Sequence, residues 1–236
     1  MSTDVSMPDR LVVLTFDDAV SNHASFVAPI LKRYGFGATF YICEMAGDGG
    51  DCFEKDKRQY MTWEQIATLD RMGFEIGNHT GHHIAVRNLP REKLIEEIEF
   101  IEQRCAAHNI RPPETFCYPG GVEDPGAFPV LREKGYHLAR GCGNRPYRAD
   151  CDNPLLVPSY VITGNEEAGF PDIVSQAGNG KMVVLTFHGV PDYNHSWVDT
   201  PPEIFERMMR HLSDIRATVI AMREIPRFAG AALNPR

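Results

Sequence analysis

The chain has 236 residues, 43% of them hydrophobic, and its 24 Lys and Arg against 32 Asp and Glu leave a net charge of −8. That length suits one domain with an ample core, and the apolar content excludes intrinsic disorder. The acidic balance, without any Lys/Arg run, argues against nucleic acid as a partner, and no window approaches the roughly 18 apolar residues of a membrane span.

The first ten residues are mostly polar or charged and show no signal peptide, so the chain as written reads as cytoplasmic, or as exported if a signal was removed. Strand-like runs then alternate with stretches of helical period. The strands are expected at Leu11 to Phe16, Ala38 to Ile42, Phe74 to Asn78 and Thr115 to Tyr118, then at His137 to Arg140, Leu156 to Ile162, Met182 to Phe187 and Thr218 to Met222. Several are continuous apolar runs, as in parallel strands covered on both faces. Helices are expected over about Ala24 to Tyr34, Trp63 to Met72, from near Pro90, and over Pro202 to Ile215. The third carries Leu94, Ile98, Ile101 and Cys105 on one stripe. Gly35, Gly73 and Gly135 stand where helices should stop. The pattern predicts an α/β protein, a distorted or incomplete (β/α) barrel of seven to eight parallel strands, forming a single domain over 1–236 with its core at about 11–222. Six cysteines are too few for a disulfide scaffold, although Cys43 with Cys52, and Cys142 with Cys151, are spaced for local pairing.

One internal echo stands out. Val12 to Phe16 repeats as Val183 to Phe187, the first ending in Asp17 and the second in His188. In a β/α barrel both residues would reach the face where active sites sit. Asp17 and Asp18 point in different directions after their strand, so one carboxylate can ligate a metal while the other takes a proton. The structural alternative is a helix N-cap. His79 and His83, spaced i, i+4, are expected on one face of a helical turn, close enough to share a cation. His82 reads as a bystander there. His23, His108, His137 and His211 lack ligand spacing and read as surface or packing residues. Two histidines and a carboxylate make a three-ligand site, and Asp17 and His188 then complete an acid–base set.

Thr15-Phe16-Asp17-Asp18-Ala19, His79-Thr80-x-x-His83 and Leu185-Thr186-Phe187-His188 resemble the polysaccharide deacetylases, the NodB-homology domain of carbohydrate esterase family four, in family order. The resemblance implies a distorted barrel, one divalent metal (zinc, with cobalt, nickel or manganese as substitutes) and removal of N-acetyl groups from an amino-sugar carbohydrate. It makes Asp18, His79 and His83 the metal ligands, Asp17 the base and His188 the acid that protonates the departing amine. Phe116 to Gly121 falls at the third block. There Tyr118 and Pro119 would line the sugar groove, and a backbone N–H near Gly120 would meet the oxyanion. Two features depart from the family: no arginine lies between Thr115 and Gly121 to steady the catalytic aspartate, and the fourth block of acids followed by tryptophan is missing. Arg148 to Asp152 is the nearest acidic stretch, and Trp197 would supply the apolar wall. The departures put the substrate in doubt. Alternatives are a related amide or ureide hydrolase, an acetyl esterase, a non-haem iron oxygenase on the same triad, and a silent glycan-binding module. In the oxygenase, Asp17 and His188 would have no role. Oligomeric state is not legible.

Overall fold

The computed structural model describes residues 7–46 and 52–229. Residues 1–6, 47–51 and 230–236, and with them the two ends of the expected domain, lie outside the described residues. Eight strands form one sheet: β1 (Leu11–Phe16), β2 (Thr39–Ile42), β3 (Glu75–Asn78), β4 (Thr115–Cys117), β5 (Leu138–Arg140), β6 (Tyr160–Val161), β7 (Val183–Phe187) and β8 (Thr218–Ile220). Every pairing between them is parallel, in the order β5-β4-β3-β2-β1-β7-β6, with β8 also against β1. β8 pairs with the first half of β1, from Leu11 to Val13, whereas β2 pairs with its end, at Thr15 and Phe16.

The sheet curls far enough to meet itself. Val157 bridges Arg140 in parallel, and three residues later β6 pairs with β7, so the segment 157–161 spans the two edges. The expected strand Leu156 to Ile162 is therefore shorter, because Pro154–Leu156 forms a 3-10 turn. This is the distorted (β/α) barrel. Side chains alternate across it as a strand requires. Leu11, Val13, Tyr41, Cys117, Leu138 and Val184 form an inner cluster, while Val12, Leu14, Phe16, Phe40 and Leu185 pack in the shell of helices.

The helices follow from local chemistry. Pro29 lacks an amide hydrogen and interrupts the expected helix, which runs as a π turn over His23–Val27 and then as α1 (Ala28–Tyr34). Gly35, at φ 69°, stops it. α2 (Trp63–Arg71) opens with a capping box between Thr62 and Gln65. α3 (Arg91–Ala107) buries the stripe of Leu94, Ile98, Ile101 and Cys105, with Pro90 just ahead of its first turn. The shorter α4 (Phe128–Glu133) and α5 (Phe170–Ser175) lead to α6 (Pro202–Asp214), which buries Phe205, Met208, Met209 and Leu212, and to α7 (Pro226–Ala229). No described helix is long and apolar enough to cross a membrane, and all six cysteines are free thiols.

Candidate active site

The repeated strands lie side by side in register: Thr15 pairs with Thr186, Phe16 with Phe187. The Asp17 amide extends this ladder to the Phe187 carbonyl at 3.0 Å. The chain then enters the left-handed region at Asp18 (φ 69°) and Ala19 (φ 54°), conformations costly for residues other than glycine. Helical structure begins only at His23, after Asn22, so neither aspartate caps a helix. The turn instead aims the two buried carboxylates at different neighbours.

Asp18 faces the histidines. Its Oδ1 lies 3.4 Å from His79 Nε2 and 3.4 Å from His83 Nε2. Contrary to the spacing argument, these histidines do not share a helical turn. They follow β3 in a loop in which Thr80 (φ 62°) and His83 (φ 56°) are left-handed. Asn78 Oδ1 accepts from the Thr80 amide, and Thr80 Oγ1 from that of Ile84, which fixes the loop from within. His82 takes no part in the cluster but anchors it: its amide and Nδ1 contact the buried Glu97 of α3 at 2.8 Å and 3.1 Å. His79 donates its Nδ1 hydrogen to the Cys117 carbonyl at 3.0 Å, which turns Nε2 towards Asp18.

Donors about 2.1 Å from a tetrahedral zinc stand about 3.4 Å apart, so the Asp18–His79–His83 spacing fits a small divalent cation. A second trio, Asp17–His79–Cys117, is also compact. It fits a cation poorly, because burial pushes the Cys117 thiol up and the Arg140 guanidinium already occupies its side of Asp17.

His188 leaves β7 with Nε2 at 3.9 Å from both Asp17 Oδ2 and Asp18 Oδ2. Its carbonyl accepts from His23 Nε2 at 2.9 Å, so His23 is a buried support of the site rather than a surface residue. Sequence reasoning missed Arg140, whose Nη2 donates to Asp17 Oδ2 at 2.5 Å. Strand alternation could have found it, since Leu138 faces the barrel interior and Arg140 must follow. Burial opposes charge on Asp17, yet Arg140, His79 and His188 outweigh it and hold the carboxyl below its usual value. Burial likewise opposes charge on Asp18, but the His79 hydrogen bond and His83 bring it well down. Burial and the neighbouring His79 lower His83.

These groups open into a cavity of about 490 Å³ lined by Gly120, Gly121, Cys142, Val161, His195 and Trp197, among others. Gly120 and Trp197 are thus at the cavity as expected, and Trp197 stays 72% exposed. Tyr118 and Pro119 are not among the lining residues. Tyr118 is buried with Phe116 outside the barrel, donating its hydroxyl to the Leu155 carbonyl at 3.0 Å. Alternation along β4 dictates this, because Cys117 takes the inward position. The acidic stretch near Asp150 is spent on surface pairs, Arg145 with Asp152 at 2.7 Å and Arg148 with Asp150 at 2.9 Å.

A β/α barrel with carboxylates and imidazoles clustered at the C-terminal ends of its strands has the architecture of an enzyme active site. The profile of the family described as polysaccharide deacetylase matches residues 4–139, more than half of the chain, and the chain belongs to that family. It is a hydrolase of carbon–nitrogen bonds other than peptide bonds. A peptidoglycan-N-acetylglucosamine deacetylase from Bacillus cereus is 28% identical over 185 residues, covering 75% of this chain and 78% of its own. Among solved structures, the Xyl-CE4 domain of a multidomain xylanase from the hindgut metagenome of Trinervitermes trinervoides superposes with a TM-score of 0.62 at 18% identity, covering 92% of this chain and 90% of that one. A family pseudoenzyme from Bacillus anthracis matches with a TM-score of 0.61 at 12% identity, over 95% and 69% of the two chains. Likeness of fold at this identity therefore carries no chemistry, and the site residues must.

Proposed function

We propose that the protein is a metal-dependent deacetylase that hydrolyses N-acetyl groups on an amino-sugar carbohydrate. The observation that carries this reading is the division of labour between adjacent carboxylates: Asp18 stands 3.4 Å from two imidazole nitrogens, while Asp17 is held by the Arg140 guanidinium. Asp18, His79 and His83 would hold the metal, for which zinc suits the mixed nitrogen and oxygen donors. When bound, such an ion polarises the acetyl carbonyl and makes water a better nucleophile.

The chain's own groups supply the rest. Asp17, ionised and buried beside the cavity, takes the proton from the attacking water. His188 lies on the same side and gives a proton to the amine, which leaves poorly as an anion. The Gly120 backbone stands at the cavity wall, where an N–H can meet the developing oxyanion. Trp197 offers an exposed ring at the mouth for the apolar face of a sugar. The relative from Bacillus cereus, by its name, acts on N-acetylglucosamine of peptidoglycan, which supports the substrate class.

Mass-spectrometric metal content tests this reading, with the His79→Ala/His83→Ala variant alongside. About one metal ion per chain is expected in the wild type, lost together with deacetylation in the variant. A protein that binds no metal after reconstitution, or that releases acetate equally well in the variant, would overturn it.

A further inference from the structure

We infer, resting on the deacetylase reading, that the protein acts on internal units of a glycan chain, with the sugars on either side of the acetylated one held in two hollows that adjoin the central cavity.

The central cavity continues past its own walls at two separate edges. Cys142 and Val161, near the seam where β5 and β6 close the barrel, also line a hollow of about 520 Å³ together with Asn144, Thr163 and Glu166. Asn194, on the loop after β7, is shared with a hollow of about 370 Å³ that Tyr193, Gln59 and Arg58 also line. Both volumes lie within the roughly 300–1,000 Å³ of small-molecule sites. A cavity extended at two edges takes a chain that enters by one and leaves by the other, whereas a site for a chain end needs only one extension.

The hollow beside Tyr193 is held in shape by a buried carboxylate. Asp192 is 4% exposed, its Oδ1 accepting from Gln59 Nε2 at 2.8 Å and from the His195 amide at 2.9 Å, and its Oδ2 from the Gly189 amide at 3.1 Å. A Cβ on Gly189 would come within 2.5 Å of the Asp192 Cα, so a side chain there would collide with the loop. The Gln59 carbonyl in turn accepts from the Ser21 amide at 2.7 Å, just beyond the turn that carries Asp18. While Asp192 is buried, the next residue, Tyr193, is 76% exposed. Tyr193 and Trp197 are the large hydrophobic side chains left exposed among the described residues, and both stand on this loop. Their concentration beside the cavity marks a contact surface. A ring with an apolar face and a polar edge suits a pyranose.

At the other edge Asn144 is exposed, with left-handed backbone at φ 49°. Glu166 Oε2 accepts from the Thr163 hydroxyl at 2.6 Å and from its amide at 2.7 Å, which fixes that wall. Amide and carboxylate groups there match sugar hydroxyls, and Val161 and Ile173 give an apolar lining.

The test gives the metal-loaded protein N-acetylglucosamine oligomers of one to five units, isotopically marked at the reducing end. Binding of remote units is spent at the reacting centre, so kcat/KM for the pentamer should exceed that for the monosaccharide at least about 100-fold. Tandem mass spectrometry should place the first acetyl lost on an internal unit. Tyr193→Ala and Asn144→Gly, the second suited to the left-handed backbone, should each lower kcat/KM for the pentamer at least about 10-fold. They should also move the first acetyl lost towards opposite ends of the chain, because each weakens the hold on one side; general damage to the fold would not. First loss from a terminal unit in the wild type, equal kcat/KM for monosaccharide and pentamer, or variants that do not move the position apart would overturn the inference. Release of acetate from none of the oligomers would instead overturn the deacetylase reading, so the two failures are separable.

Discussion

Asp17 and His188 leave adjacent parallel strands at the same level of the ladder and end with Oδ2 and Nε2 3.9 Å apart. Two copies of one short sequence, paired with each other, thus deliver the two groups proposed as base and acid. The arrangement separates their expected defects. Asp17→Asn should keep the metal and lower turnover about 100- to 10,000-fold on every substrate, because water must be activated whatever leaves. His188→Ala should slow amides far more than activated acetate esters, whose leaving groups need little protonation. Steady-state rates on a matched amide and ester read this out, and equal losses would refute the acid role.

The loop carrying His79 and His83 is held from outside by Glu97, buried on α3 and bonded to His82. Glu97→Ala leaves all three proposed ligands in place but releases their support. Metal affinity, measured by competition with a chelator, should fall about 10- to 100-fold. An unchanged affinity would mean that the turn through Thr80 suffices alone.

His23 gives the fold an acid-sensitive element. Burial lowers its pKa from 6.5 to about 4, against the opposing hydrogen bond to the His188 carbonyl. Below pH 6.5 the unfolded chain binds a proton that the folded chain refuses, so stability falls as pH drops from 6.5 towards 4. At about 1.4 kcal/mol per pH unit the full effect is about 3 kcal/mol. His23→Gln should remove this slope, so that urea unfolding shows the variant gaining about 2 kcal/mol on the wild type between pH 7 and pH 5. Parallel pH dependence in the two proteins would count against it.

Much of this was legible in the sequence, because apolar runs bounded by glycine and proline have few alternatives in a parallel barrel. The aspartates and His188 could be placed because each immediately follows such a run. What misled was local spacing without the tertiary partner. The i, i+4 interval of His79 and His83 fits a helix, but Glu97, more than a dozen residues away, pins the segment as a loop. Tyr118 was drawn to the cavity by its neighbours Pro119 and Gly120, although period-2 alternation already assigns it to the outer face with Phe116. Arg140 follows from the same alternation, but its partner lies across the barrel at Asp17, a pairing that no local pattern contains.

The left-handed backbone at Asp18, Ala19, Thr80 and His83 has a consequence for laboratory evolution. Glycine adopts such conformations freely, whereas other residues lose about 1 kcal/mol or more there. Selection for heat resistance alone will therefore favour Ala19→Gly, which relaxes the turn and allows the neighbouring Asp18 to wander. Selection on turnover will resist the same change. Glycine variants from a library at position 19 should melt later and work more slowly, a trade-off written into the main chain rather than into any reacting group.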